Sequence, residues 1–193
     1  MPQYHRAWLP GGTWFFTLAL LERRGEPLLV QHIGLLREAV AHVRATHPFE
    51  IHAWVVLPEH MHCIITLPEG DTDFALRWRL IKARFSRGVP SDQRLSASHR
   101  KRGERAIWQR RYWEHMIRDE VDWENHMNYV HFNPVKHGLV RAAHEWPYST
   151  FHKFVERGWY QKDWGVSESC RIIANKPSHR MGKHNPRAIS ARP

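Results

Sequence analysis

Two imidazoles, a phenol and a carboxamide, set in two short segments, have the chemistry for metal-assisted phosphoryl transfer. His60 and His62 lie in Ala53-Trp-Val-Val-Leu-Pro-Glu-His-Met-His-Cys-Ile-Ile-Thr-Leu67, which reads as two strands joined by a tight turn at Pro58-Glu59. Side chains at i and i+2 of a strand leave on the same face. The two imidazoles therefore point one way and Met61 and Cys63 the other. That pair is half of a divalent-metal site. Tyr129 precedes Asn133 by four residues in Tyr-Val-His-Phe-Asn, a spacing that puts both on one face of a helix. A phenol can accept a phosphoryl group covalently, and a bound cation polarises the phosphate under attack. On a strongly basic chain, the combination points to cutting of a nucleic acid strand.

Each residue also has a plainer role. A His-x-His on a strand is commonly two polar residues on a solvated face, but Ile64 and Thr66 continue this face and would half-shelter the imidazoles. Two imidazoles and one neutral oxygen leave coordination positions open for water and phosphate, as catalysis requires. Mg²⁺ prefers oxygen ligands and Mn²⁺ tolerates both types, so Mn²⁺ is expected to bind more tightly while Mg²⁺ can serve through phosphate oxygens. Asn133 precedes Pro134, and proline pushes the residue before it out of the helical region. Asn133 is thus equally a candidate N-cap of a following short helix. Capping and ligation compete for one oxygen. Tyr129 has the alternative of packing on the sheet. As a nucleophile, a phenol with a pKa of about 10 needs a proton acceptor. His131 and Lys136 are near in sequence, but helical geometry turns His131 away, and no base is named.

The elements that must position these groups follow from the hydrophobic pattern. Thr13-Trp-Phe-Phe-Thr-Leu-Ala-Leu-Leu21 reads as a first strand, and apolar residues at helical spacing between Pro27 and about Thr46 as an amphipathic helix. The strand pair 50–57 and 60–67 follows. Asp71-Thr72-Asp73 offers capping chemistry for a second helix with Phe74, Trp78, Ile81 and Phe85 along one side. Residues 88–105 read as a basic loop and 107–118 as a fourth strand. Asp119 is placed to cap a helix over 120–132 that carries Tyr129. After about residue 165 the pattern fades into a basic tail, expected to be disordered. The order is α+β and suits an antiparallel sheet with helices packed on one face, related to the ferredoxin-like arrangement.

Composition narrows the partner. Lys and Arg number 29 against 19 Asp and Glu in 193 residues, for a formal charge of +10 and a pI near 10.1. This balance favours a polyanion through steering and counterion release. Ten tryptophans offer stacking surfaces for unpaired bases as well as core material. Arg77, Lys82 and Arg84 on the second helix, and Arg110 and Arg111 within the fourth strand, are candidate DNA contacts. Two distant cysteines, Cys63 and Cys170, give neither a disulfide framework nor a four-ligand zinc pattern. The N-terminus is too polar and proline-broken for a signal peptide, and no apolar run approaches a membrane span. A cytoplasmic, nucleoid-associated protein is expected.

The motifs Gly11-Gly-Thr-Trp-Phe-Phe-Thr17, Trp54-Val-Val-Leu-Pro-Glu-His-Met-His-Cys-Ile64, Tyr112-Trp-Glu-His-Met-Ile-Arg118, Tyr129-Val-His-Phe-Asn-Pro-Val-Lys-His-Gly138 and Trp146-Pro-Tyr-Ser-Thr-Phe151 occur in this order. Through them the chain resembles the REP-associated tyrosine transposases, a branch of the single-tyrosine HUH nucleases. The resemblance spans about residues 3 to 165, leaving 166–193 as a tail. It implies that His60, His62 and Asn133 are metal ligands, with Mg²⁺ or Mn²⁺ bound, and that Tyr129 is the nucleophile. It further implies a single-stranded DNA substrate, a hairpin beside a short guanine-containing flank, cut through a 5′-phosphotyrosine. Arg6, Trp8 and Trp14 are candidates for contacts to that flank. The resemblance does not extend to the 88–105 insertion or the tail. Two other readings stand beside it: a non-catalytic DNA-binding regulator of repeated palindromes, and a phosphodiesterase that uses water.

Overall fold

The computed structural model describes residues 10–21, 27–90 and 107–166. The calls on Arg6, Trp8, most of the 88–105 loop and the tail beyond 166 lie outside those residues. Strand β1 (Thr13–Ala19) leads into a short helix α1 (Leu28–Gln31) and then α2 (Ile33–Thr46). The pattern from Pro27 to Thr46 is thus two helices, broken at His32, whose backbone (φ −107°, ψ 32°) leaves the helical region. Strands β2 (Glu50–Val56) and β3 (His60–Thr66) form the hairpin around Pro58-Glu59, and α3 (Phe74–Gly88) follows. Asp73 caps α3 by accepting from the Leu76 amide at 2.8 Å. Strand β4 (Trp113–Met116), helix α4 (Glu120–Lys136), a 3₁₀ turn at Ala143–Glu145 and helix α5 (Phe151–Glu156) complete the chain. No helix among the described residues is long and apolar enough to cross a membrane.

The four strands form one antiparallel sheet in the order β2-β3-β1-β4. With its strand–helix–strand–strand–helix–strand order, this is the expected α+β, ferredoxin-like arrangement. Helices cover both faces rather than one. Strand alternation separates the two sides of β1. Trp14, Phe16 and Leu18 join Leu36, Val43, Trp78 and Phe85 of α2 and α3, while Phe15 joins Met127 and Val130 of α4. A sheet with apolar residues on both sides must bury both. The alternation in Trp14-Phe15-Phe16 contains no polar position from which a single covered face can be read.

Two of the candidate DNA contacts belong to this core. Trp14 is buried against Phe74, with ring centroids 4.9 Å apart. Arg77 is buried too, its guanidinium bonded to the Pro48 carbonyl at 2.6 Å, the Asp73 carbonyl at 3.0 Å and the Asp71 carboxylate at 2.7 Å. Neither presents a surface to a nucleic acid, and both assignments are corrected. Arg77 staples the start of α3 to the turn before β2. Arg77→Ala would strand a carbonyl and a carboxylate, and should cost about 2 kcal/mol. A lower urea midpoint with an unchanged m-value would show it.

Candidate functional site

β3 begins at His60 and runs beside β1, with Thr17 opposite His62 and Ala19 opposite His60. The imidazoles leave the sheet on the α4 side with ring centroids 5.0 Å apart, as the i, i+2 spacing requires. His62 is buried and His60 half-buried. Phe15 stacks on His62 at 5.6 Å and 18° and fixes the ring plane. Thr17 Oγ1 lies 2.8 Å from His62 Nδ1. With Nδ1–H donating to this hydroxyl, Nε2 keeps its lone pair.

Helix α4 brings up the other half. Asp119 caps it by accepting from the Asp122 amide at 2.8 Å. The helix does not end before Pro134. It runs through Asn133-Pro134 to Lys136, with the His137 amide bonded to the Asn133 carbonyl at 3.0 Å, and leaves through Gly138 in the left-handed region (φ 68°). Pro134 sits in the last turn, where the bonds that follow it hold the helix together. The capping role for Asn133 is therefore gone. Its Nδ2 reaches only the Tyr129 carbonyl, at 3.5 Å, and its buried Oδ1 has no hydrogen-bond partner.

Tyr129 is one turn back from Asn133, its ring 5.1 Å from His62 and 5.8 Å from Phe15. The Lys136 ammonium lies 4.7 Å from the centre of the phenol ring. His137, which sequence reasoning passed over, brings a third imidazole to 5.0 Å from His60. His131 points away, as expected from the helix. It packs against Phe151, Phe154 and Tyr160 and meets Thr150 Oγ1 at 3.0 Å, and burial pushes its pKa down to about 3. It is a structural residue.

Burial holds His62 well below the usual histidine range, and the nearby charges of His60, His137 and Lys136 act in the same direction. Asn133 approaches closely enough to oppose this, yet no hydrogen bond with good geometry forms, and His62 Nε2 is buried without a partner. A neutral imidazole nitrogen and an amide oxygen, both buried and unsatisfied, are costly unless something binds them. They are the donor types a divalent cation takes, and they fit it.

A second set of donors lies across Phe15. His115, Asp122 and His126 bring their ligand atoms within 4.8 Å of one another. The Asp122 carboxylate already accepts from His115 Nε2 at 2.8 Å and from the Arg118 amide at 3.1 Å and Nε at 3.3 Å, and pairs with His126 Nδ1 at 3.0 Å. Its Oδ2 already accepts from three donors, whereas His62 Nε2 and Asn133 Oδ1 have no partner. The better metal fit is therefore the His60 side.

The remaining basic candidates divide. Lys82 donates to the Gln109 carbonyl at 2.9 Å and lies under the rings of Trp108 and Tyr112, and burial lowers its pKa to about 8. Arg84, Arg110 and Arg111 are exposed. A cleft of about 700 Å³ runs along the β2 edge past Arg37, Arg44, Lys153 and Arg157, and Tyr129 does not line it.

No family model matches the chain. It is 49% identical over 164 residues to the REP-associated tyrosine transposase of Escherichia coli K12, covering 85% of this chain and 91% of that protein. A Haemophilus influenzae relative is 40% identical over 173 residues, 89% of this chain and 98% of its own length. Among solved structures, the REP-associated tyrosine transposase bound to a REP hairpin superposes with a TM-score of 0.73 at 48% identity, over 87% of this chain and 94% of that one. On these similarities the chain belongs to the REP-associated tyrosine transposases.

Proposed function

We propose that the chain is a divalent-metal-dependent endonuclease and strand transferase that acts on single-stranded hairpin DNA through Tyr129. The observation that carries this reading is the pair of buried, unpartnered donors, His62 Nε2 and Asn133 Oδ1, set beside a tyrosine. His60, His62 and Asn133 would hold the cation. When bound, it would neutralise charge on the scissile phosphate. Thr17 and Phe15 hold the His62 ring in the ligating orientation. The Tyr129 phenol gives up its proton as its oxygen bonds to phosphorus, the bond from phosphorus to the 3′ oxygen breaks, and that oxygen takes up a proton in turn and leaves as a 3′-hydroxyl. The product is a 5′-phosphotyrosine, and reversal by another 3′-hydroxyl joins strands. Lys136, over the phenol ring, places a positive charge beside the approaching phosphate. A hairpin with a single-stranded flank is the expected substrate, as the relative solved with a REP hairpin suggests.

The test is incubation with flanked hairpin DNA and Mn²⁺ or Mg²⁺, followed by denaturing gel and mass analysis. A covalent chain–oligonucleotide species is expected. Cleavage that yields two free DNA ends and no adduct would favour water as the nucleophile. Thr17→Val removes the oxygen that orients His62 and changes little else in volume. It should weaken Mn²⁺ binding about 10- to 100-fold, read by calorimetry, because partners of metal-bound histidines have effects of that size.

A further inference from the structure

Trp113 and His115 leave β4 on the same face, two residues apart, and their rings lie 5.7 Å apart and within 3° of parallel. His126 of α4 continues the stack at 4.6 Å and 16° from His115. Asp122 pairs with both imidazoles, and Phe15 packs 4.8 Å from His126. Because Phe15 meets Trp113 as well as His126, the rings close on one another and form one braced cluster. Trp113 is the most exposed of these rings, at 38%. Phe15 touches both Trp113, at 5.5 Å, and Tyr129, at 5.8 Å, so the exposed indole is one ring away from the reacting phenol. Arg111, two residues before it, and Arg118, five residues after it, are exposed.

We propose that Trp113 is a stacking platform for an unpaired base of the single-stranded flank, close to the scissile phosphate. The proposal rests on the DNA-cleaving reading of Tyr129 and adds how the strand is seated. A paired base has both faces covered by its neighbours, whereas an unpaired one gains from a rigid aromatic surface. The bracing lowers the entropy cost of fixing the indole, and the exposed arginines near it in the chain suit a phosphate backbone. The platform selects strandedness rather than sequence, because every base has a π-face.

The experiment measures affinity without metal, in a Tyr129→Phe background, for flanked hairpins carrying an abasic site at each flank position in turn. One position is expected to lose about tenfold in affinity when its base is removed. In the same background Trp113→Leu, which keeps an apolar body against His115, should lose a similar factor and no longer sense that abasic site. Trp113→Phe should retain part of the discrimination. An abasic penalty unchanged by Trp113→Leu at every position, or full affinity in that variant, overturns the platform. Failure of the Tyr129→Phe chain to bind any flanked hairpin overturns the DNA-cleaving reading, and the platform with it.

Discussion

Tyr129→Phe should bind flanked hairpin DNA as tightly as the natural chain and form no covalent adduct. The substitution removes one oxygen and leaves the ring that meets His62, Phe15 and Lys136. Packing and electrostatics therefore persist, and only the nucleophile is lost. Loss of a nucleophile typically lowers turnover by a thousandfold or more, on the order of 4 kcal/mol in the barrier. Adduct on a denaturing gel and affinity by filter binding are read on the same preparation. Undiminished cleavage in this variant would sink the tyrosine mechanism and leave water as the attacking group.

His62→Ala carries the second large effect. It removes a buried donor, frees the Thr17 hydroxyl and leaves Asn133 Oδ1 facing an apolar methyl. Metal-dependent cleavage should fall by roughly a thousandfold, with Mn²⁺ affinity falling in parallel, since a three-donor site cannot lose its most sheltered ligand cheaply. Hairpin affinity measured without metal should change less than about threefold, because phosphate contacts and stacking supply it. Asn133→Asp sharpens the same argument. An added carboxylate should shift preference from Mn²⁺ towards Mg²⁺, which favours charged oxygen ligands. Normal cleavage by His62→Ala at ordinary Mg²⁺ would reduce the histidines to surface residues of the sheet.

Much of this site was legible because its spacing is local. The shared face of His60 and His62 depends only on strand alternation, and the Tyr129–Asn133 pair only on helical pitch. The position of Asn133 was open in sequence because proline penalises the residue before it in any helix. What decided the matter was the set of bonds after Pro134, from His137 back to Asn133 and from Leu139 back to Pro134. Thr17 and Phe15 were missed as partners of His62. Their role depends on the β1–β3 register, which pairs residues 45 positions apart and leaves no local trace. Arg77 and Trp14 were misjudged for a related reason. A basic helix residue reads as solvated until the chain beneath it supplies carbonyls, and an aromatic beside glycines reads as exposed until a second helix covers it. His137 had a signal, three imidazole-bearing motifs in one chain, but no spacing that ties it to His60.

The alternation along Trp14-Phe15-Phe16 also bears on how the molecule can be altered. Neighbouring residues serve opposite sides of the sheet, one side made of scaffold and the other of chemistry. Substitutions in α2 or α3 that raise stability act through contacts the reacting groups do not share. Such changes should add to site substitutions within about 0.5 kcal/mol, as independent sites do. An engineer can therefore toughen this chain from behind, and retune its cutting from the front, in separate campaigns.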